Sequence, residues 1–162
     1  MLVSPGPIRV LVADDQELVR SGLAMILDAQ PGIEVVGQAA DGRQAVEMAR
    51  RLRPDVCLLD VRMPGLDGFT VCRLLKANEE TRLIPIVIMT ALNAAADRIT
   101  GIQAGADDFL TKPVHEEELV ARIATALTLK HTVDRRLGEL RALKEHVAQF
   151  VRLVTPPDAP AS

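Results

Sequence analysis

Hydrophobic and polar residues follow two different patterns along the chain. Five short apolar runs end at polar residues, which is typical of buried parallel strands, and the segments between them carry apolar residues at three- and four-residue spacing, which is typical of amphipathic helices. The predicted strands cover residues 8–13, 33–39, 56–60, 85–89 and 106–110. The predicted helices cover residues 17–29, 42–52, 68–78 and 94–103, and a fifth begins at about residue 116.

Regular alternation of strands and helices predicts an α/β fold. Each strand–helix–strand unit should make a right-handed crossover, so the strands form one doubly wound parallel sheet with helices on both faces. The carboxyl ends of parallel strands lie along one edge of the sheet, and ligands bind at that edge. We therefore expect the chemistry of this chain at the residues that end or follow the strands.

Composition limits the class of protein. The chain has 162 residues, of which 48% are hydrophobic, so it can form one ordinary domain with a modest extension. Its net charge of −3 argues against a nucleic-acid-binding surface as the main function. No signal peptide or membrane-spanning stretch is visible, and the cysteines, Cys57 and Cys72, fall in predicted buried elements. We expect a cytoplasmic protein with free thiols that contacts neither membrane nor nucleic acid directly.

Polar side chains collect at the carboxyl ends of four predicted strands. They are Asp14, Asp15, Asp60, Thr90 and Lys112. A single acid after a strand is usually only a turn former or a helix cap, and Lys112 could simply pair with one of the acids. Five such residues at one edge of a sheet favour a functional site centred on Asp60.

The charges of these residues indicate a cation. Three carboxylates this close together cannot all stay ionised without a counter-charge. A hard divalent cation with oxygen ligands provides one, and Mg²⁺ suits an open site that keeps water ligands and accepts phosphate oxygens. Lys112 would then offer a point charge to a phosphate group, and Thr90 a neutral donor.

Residues 8 to about 127 resemble the receiver domain of two-component response regulators. Four motifs carry the resemblance: Val12-Ala13-Asp14-Asp15, LLDVRMPGLDG over residues 58–68, Met89-Thr90-Ala91, and GADDFLTKP over residues 105–113. Together these motifs are highly specific. The resemblance implies a flavodoxin-like (βα)5 fold with strand order 2-1-3-4-5.

The resemblance also implies a phosphoryl-transfer site with Mg²⁺ as its cofactor. Asp60 would accept a phosphoryl group from a sensor histidine kinase. Asp15 and Asp60 would ligate Mg²⁺ directly, Asp14 would act through water, and the backbone carbonyl of Arg62 would be a further ligand. Lys112 would contact the acyl phosphate.

The same resemblance implies a switch and a backbone feature. Thr90 and Phe109 match the family's switch pair, in which the hydroxyl moves toward the phosphoryl group and the ring turns inward. From its residue type alone, Phe109 would be an ordinary core side chain. The Lys112–Pro113 peptide bond matches a cis bond of the family.

Two other functions fit parts of the pattern. A phosphatase on a similar sheet could use Asp60 as its nucleophile, but it would require a second acid two residues later, where this chain has Arg62. A pseudo-receiver that serves only as a scaffold is disfavoured by the complete set of polar residues at the sheet edge. We therefore predict a phosphorylation-controlled switch that is not an enzyme with separate substrate turnover.

The chain continues as a predicted helix beyond residues 8–127, which a minimal receiver would occupy. Over residues 128–154 apolar side chains recur at alternating spacings of four and three, which is typical of a coiled coil. The predicted seam consists of Val133, Leu137, Leu140, Val147, Val151 and Val154, with Lys130 and Lys144 at two of its positions. The pattern favours a parallel homodimer, helped by the face of the fourth and fifth helices; the alternative is a helix that folds back on its own domain.

The remaining segments leave the output open. Residues 1–7 and 155–162 are predicted to be disordered. The protein either works through partners or lacks a C-terminal effector domain that a longer chain would carry. Residues up to about Gly68 resemble regulators with helix-turn-helix output domains, and those from Phe69 resemble receivers fused to nucleotide cyclases or other signalling enzymes, as natural drift or an engineered join would produce.

Overall fold

The computed structural model describes residues 6–91 and 95–155, apart from the side chains of residues 129 and 130. The strands are β1 (Ile8–Ala13), β2 (Ile33–Ala39), β3 (Val56–Asp60), β4 (Ile86–Thr90) and β5 (Asp108–Thr111). The helices are α1 (Glu17–Asp28), α2 (Gly42–Leu52), α3 (Gly68–Ala77), α4 (Ala95–Ala104) and α5 (Glu116–Val154).

The five strands form one parallel sheet in the order β2-β1-β3-β4-β5. This arrangement confirms the predicted α/β class and the flavodoxin-like strand order. All five residues of the central strand β3 are buried, because helices cover both faces of the sheet. The sheet therefore holds Asp60, the last residue of β3, on a rigid support.

Alternate side chains of the sheet pack into two apolar layers. Cys57 and Leu59 of β3 face the layer completed by α2, α3 and α4, whereas Val56 and Leu58 face the layer completed by α1 and α5. Both cysteines are buried and neither forms a disulfide, as predicted. Ala45, Val46 and Ala49 of α2 pack in the first of these layers.

Two leucines of the amphipathic helices are exposed rather than packed inward. Leu18 of α1 is 87% exposed and Leu74 of α3 is 38% exposed, whereas Leu23 and Leu75 are buried. A separation of five residues turns a helix by about 140°, and a separation of one by about 100°, so neither leucine shares a face with its buried neighbour. Apolar spacing alone therefore overestimates the width of the buried face of each helix.

The last two strands begin later than the apolar pattern indicated. β4 starts at Ile86 rather than at residue 85 and includes Thr90, and β5 covers Asp108–Thr111 rather than 106–110. Residues 105–107 form the turn before β5, in which Asp107 exchanges backbone and side-chain hydrogen bonds with Ile86. The predicted start of the fourth helix, at residue 94, lies outside the described residues.

Helix α5 has 39 residues and runs through two compact units of the chain. The described residues up to Lys130 form the first unit, in which Leu119, Ile123 and Ala126 of α5 are buried. Those from His131 form the second, where every described side chain of the helix except Thr132 and Leu137 is exposed.

Two remaining features are the ends of the chain and the length and hydropathy of its helices. The segments predicted to be disordered lie outside the described residues at positions 1–5 and 156–162, and Gly6, Pro7 and Thr155 belong to no helix or strand. None of the described helices is both long and apolar enough to cross a membrane.

Candidate functional site

Three carboxylates converge at the carboxyl edge of the sheet. Asp14 and Asp15 follow β1, and Asp60 ends the neighbouring strand β3. Asp14 and Asp60 are buried, whereas Asp15 is exposed. One oxygen from each carboxylate lies within 4.8 Å of the others. The structure thus brings together the three acids that the sequence grouped.

Lys112 connects two of these acids. Its Nζ lies 3.1 Å from Asp14 Oδ2 and 3.1 Å from Asp60 Oδ1. Its backbone N–H donates to the Thr90 carbonyl over 2.7 Å, which fixes the end of β5 against β4, and the following bond to Pro113 is cis. The simpler alternative of one acid paired with Lys112 is therefore too narrow, because the ammonium contacts two carboxylates.

Both carboxylate oxygens of Asp14 are engaged. Oδ1 accepts from the backbone N–H of Gln16 over 2.9 Å, and Oδ2 contacts Lys112. The Asp14 carbonyl accepts from Arg20 Nη1 over 2.8 Å. Sequence reasoning missed Arg20, which holds the turn that carries Asp14 and Asp15; its place in the first turn of the following helix was the available signal.

The site carries an excess of negative charge. Burial raises the pKa of Asp60; the hydrogen bond from Lys112 opposes this shift, and the nearby charge of Asp14 adds to it. For Lys112, burial would lower the pKa, but its hydrogen bonds to Asp14 and Asp60 raise it more. Three acids face one ammonium, so a further cation would lower the electrostatic free energy of the site.

The carboxylates have the spacing that a small cation requires. Oxygens on opposite sides of an octahedral Mg²⁺ lie roughly 4.2 Å apart, because each bond is about 2.1 Å long. The separation of up to 4.8 Å among the three acids is close to this value. Their hard oxygen atoms, with open solvent at Asp15, fit Mg²⁺.

A cleft of about 280 Å³ opens beside Asp60. Arg62, whose backbone carbonyl was expected to ligate Mg²⁺, contributes to its wall and is exposed. The cleft is lined by Asp15, Gln16, Asp60, Val61, Arg62, Met89, Ala91, Asp97 and Lys112. Asp97, in the first turn of α4, is a fourth carboxylate that sequence reasoning missed, because it follows no strand directly.

Neither of the two predicted switch residues is among the residues that line this cleft. Thr90 ends β4, is 1% exposed, and directs its hydroxyl toward the Leu110 carbonyl at 3.5 Å. The half-buried Phe109 ring packs beside Gly101 of α4, where even a methyl group would collide with it. Arg98 lies over the same ring at 5.8 Å and donates to Thr111.

The sequence of this chain matches the family model of the response regulator receiver domain over residues 10–124. It is 47% identical over 128 residues to the response regulator PleD of Caulobacter vibrioides, an alignment that covers 78% of this chain and 27% of that protein. The chain therefore spans about a quarter of the length of this curated relative.

Solved structures agree with this match. The response regulator domain of Thermotoga maritima CheB superimposes with a TM-score of 0.69 at 37% identity, covering 75% of this chain and 97% of that one. The receiver domain of the sensor histidine kinase PA1611 from Pseudomonas aeruginosa, whose active site cleft coordinates a magnesium ion, gives a TM-score of 0.70 at 33% identity over 76% and 99% of the two chains. Shared motifs, strand order and coverage lead to one conclusion: the chain belongs to the response regulator receiver domain family of two-component systems.

Proposed function

We propose that this chain is a Mg²⁺-dependent phosphorylation switch in which Asp60 accepts a phosphoryl group from a sensor histidine kinase. The observation that carries the proposal is the contact of one ammonium, Lys112, with two buried carboxylates at the wall of an open cleft. Among the residues that the structure describes, only Asp60 combines a buried base, the contact to Lys112 and a place in that cleft.

The transfer reaction follows from these positions. An Asp60 carboxylate oxygen attacks the phosphorus of a phosphohistidine in line with the phosphorus–nitrogen bond. The new oxygen–phosphorus bond forms as that bond breaks, and the histidine keeps the electron pair as its ring nitrogen is released. Lys112 neutralises charge on the transferring group, so positioning and electrostatics provide most of the catalysis.

The proposed Mg²⁺ ligands are Asp15 and Asp60 directly, Asp14 through water, and the Arg62 backbone carbonyl. The two existing contacts of the Asp14 carboxylate support its indirect role, because direct ligation would disrupt the bond to Gln16 or to Lys112. When bound, the ion would neutralise the acid cluster and orient phosphoryl oxygens. The magnesium in the PA1611 cleft supports the choice of ion.

The proposed switch uses Thr90 and Phe109. Within the described part of the chain, the Thr90 hydroxyl has only a long contact to Leu110, so a phosphoryl oxygen on Asp60 could attract it at small cost. Its movement would vacate space beside β5, and the Phe109 ring would turn inward. Because the ring lies against Gly101 and under Arg98, its rotation would alter the surface of α4 and β5.

The site also has a neighbouring surface for the kinase. An apolar groove of about 520 Å³ adjoins Lys112 and Pro113 and runs along α1. Leu18, at its rim, is 87% exposed, and nearby Met25 is 73% exposed. We propose that an apolar segment of the kinase docks here beside its phosphohistidine. Leu18→Asp should then slow transfer from the kinase while leaving transfer from acetyl phosphate unchanged.

We further propose a receiver over residues 8–127 and a helical extension over residues 128–154 that joins two copies in parallel. In the single chain, Leu140, Val147 and Val151 are 51–55% exposed, which leaves an apolar stripe without cover. Leu143 and Phe150, absent from the predicted seam, are exposed beside it and widen the stripe. The α4 and α5 face, where Arg122 contacts Asp108, would contribute to the same dimer.

The dimer can be tested apart from the phosphorylation chemistry. Sedimentation should show dimers for the parent and monomers for Leu140→Asp, because the substitution places a charge in the seam. Val147→Cys should crosslink under oxidation if the helices are parallel. Dissociation of the parent at tens of micromolar, with and without a phosphoryl mimic, would contradict the dimer at about the affinity expected of a weak specific complex.

We also propose how the chain passes on its signal and in which compartment it acts. The chain would act without direct nucleic-acid binding or separate substrate turnover, passing its state to a partner or an effector domain. The buried thiols of Cys57 and Cys72, which form no disulfide, support a reducing compartment, the cytoplasm.

Intact-mass analysis after incubation with acetyl phosphate tests the central proposal. The parent should gain one phosphoryl group in the presence of Mg²⁺ and none in its absence, because the acid cluster would otherwise repel the dianionic donor. Asp60→Asn should abolish the adduct and leave the circular dichroism spectrum unchanged. The same mass gain in that variant would show that another residue accepts the group.

A further inference from the structure

Asp97 stands apart from the other charged residues of the cleft. It lies in the first turn of α4, whereas the three clustered acids and Lys112 follow or end strands of the sheet. Its side chain is half-buried, and it has no hydrogen-bond or salt-bridge partner among the residues that the structure describes. A carboxylate that lines the cleft, has no described partner and lies outside the acid cluster is available for a role in the cleft.

The chemistry of the remaining wall narrows that role. Asp15, Asp60 and Lys112 are committed to the cation and the phosphoryl group under the proposed function, which leaves Gln16, Arg62 and Asp97 among the polar lining residues. A guanidinium can only donate hydrogen bonds, so Arg62 cannot accept a proton from water. Gln16 can accept a hydrogen bond but is a poor base. Asp97 alone of these three can hold a water molecule and take its proton.

We infer that Asp97 orients the water molecule that hydrolyses the phosphoryl group on Asp60, and so limits the lifetime of the phosphorylated state. This inference rests on the proposed function. Asp97 reaches the cleft from α4, so it does not compete with Asp15 or Asp14 for the cation. Its carboxylate accepts a hydrogen bond from the water and leaves the oxygen lone pair directed at phosphorus.

The hydrolysis step balances with these groups alone. The water oxygen attacks phosphorus, and the bond between phosphorus and the Asp60 oxygen breaks. The Asp60 carboxylate leaves with the electron pair and returns to its contact with Lys112. One water proton passes to Asp97 and then to solvent, and inorganic phosphate leaves through the cleft.

The test measures how fast the adduct is lost. The parent, Asp97→Ala and Asp97→Asn would be phosphorylated with acetyl phosphate and Mg²⁺ and freed of the donor. The remaining adduct would then be followed by intact mass. Asp97→Ala should slow the loss by about a hundredfold, the lower end of the range for a positioned acid–base group. Asp97→Asn keeps an acceptor oxygen without the base, so its rate of adduct loss should lie between those of the parent and Asp97→Ala.

Two control variants separate orientation from charge. Glu17→Gln removes one negative charge from the first turn of α1, at the same edge of the sheet but outside the cleft lining. Gln16→Ala removes the other acceptor. Both controls should lose the adduct at the parent's rate within about twofold, and all four variants should bind Mg²⁺ with the parent's affinity.

The possible outcomes are distinguishable. A parent that never gains the adduct overturns the proposed function, and this inference with it. A parent that gains the adduct, together with an Asp97→Ala variant that loses it equally fast, overturns this inference alone. If Glu17→Gln slows the loss of the adduct to the same extent, the effect is one of charge. If Gln16→Ala slows it instead, Gln16 orients the water. Either result overturns the role of Asp97.

Discussion

Lysine–aspartate contacts occur at both edges of the sheet, and they differ in how their charges are balanced. At the carboxyl edge Lys112 lies between Asp14 and Asp60, with Asp15 close by, so three acids face one ammonium. At the amino edge Lys76 of α3 contacts Asp107 at 2.7 Å, and one acid faces one ammonium. We call this second contact, with its backbone partners, the Lys76 clasp.

The clasp leaves its polar groups satisfied. Lys76 Nζ also donates to the carbonyls of Arg82 and Ile84, over 3.3 and 3.0 Å. Asp107 Oδ2 accepts from the Ile86 N–H at 2.8 Å as well as from Lys76. The clasp thereby joins α3, the start of β4 and the turn before β5. A balanced, saturated ion pair supports the fold, whereas an unbalanced one is available for a cation and a phosphoryl group.

Removing the ammonium of the clasp should produce the largest change in stability. Lys76→Met keeps most of the apolar stem but leaves Asp107 with one hydrogen bond fewer and no counter-charge. We expect the free energy of unfolding to fall by roughly 1.5–2 kcal/mol, measured by urea titration, because the Lys76 ammonium is mostly buried and loses three acceptors, although solvent screens the exposed Asp107. Mg²⁺ affinity should not change. A loss of Mg²⁺ binding would show that the two edges are coupled and would break the comparison.

Cys72 should add a pH dependence to the clasp region. Burial raises the pKa of its thiol to about 11 from 9.0, so the folded state holds this proton more tightly than the unfolded state. The resulting stability is complete below pH 9 and declines as the pH rises through 11. Between pH 8 and 10 the loss should be about 1.4 kcal/mol.

The measurement for Cys72 is a difference between two chains. Urea titrations of the parent and Cys72→Ala at pH 8, 9 and 10 cancel the titration of all other groups. The stability advantage of the parent should shrink as the pH rises. An advantage that stays constant would mean that the thiol has an ordinary pKa.

Removing a negative charge should change the free energy of unfolding in opposite directions at the two edges of the sheet. Because the pKa of Asp60 is raised in the folded state, its contribution to stability is present below the unfolded value and is lost as the pH rises through the folded one. At a pH above both values the ionised group therefore costs stability. Asp60→Asn, in chelator to exclude metal ions, should raise the free energy of unfolding by about 1 kcal/mol, a change typical of relieved functional sites.

Asp107→Asn is the matched substitution at the clasp. It removes the same charge from a balanced pair, so it should lower the melting temperature where Asp60→Asn raises it. Equal signs for the two substitutions would show that charge balance does not distinguish the two edges.

The smallest effect concerns competition for the acids. Lys112 occupies oxygens of Asp14 and Asp60 that a cation attracts. Lys112→Met should therefore raise Mg²⁺ affinity by roughly two- to fivefold, a change of less than about 1 kcal/mol, as expected for a partly exposed ion pair. Calorimetry in parallel with Lys76→Met supplies the control. Weaker binding by Lys112→Met would mean that the ammonium organises the acids rather than competing for them.

The same contrast explains what could be predicted from the sequence. Asp14, Asp60 and Lys112 were identifiable because each directly follows or ends an apolar strand, and parallel topology then brings the strand ends together. The clasp joins residues 31 positions apart, through a helix end and a turn. No apolar pattern marks such a contact, so neither Lys76 nor the role of Asp107 was anticipated.

Helix faces and distant lining residues were predicted less well. Spacing gave α1 an inner face, but it could not show that Leu18 lies at the edge of that face beside a groove. Asp97 reaches the cleft through the placement of α4, which depends on packing rather than on the sequence near a strand end. Strand β5 begins later than predicted because the hydrogen bonds of Asp107 to Ile86 turn residues 106 and 107 out of the strand.

Two glycines beside the site have a genetic consequence. A side chain at Gly68 would overlap the backbone of Asp60, and one at Gly42 would overlap the backbone of Leu66 in the loop between β3 and α3. Every missense change of one base in a glycine codon adds a side chain. In a random mutant library, the codons for Gly68 and Gly42 should therefore tolerate no missense change, although neither residue carries a functional group. Inactivating mutations should thus occur at more positions than the residues that perform the chemistry.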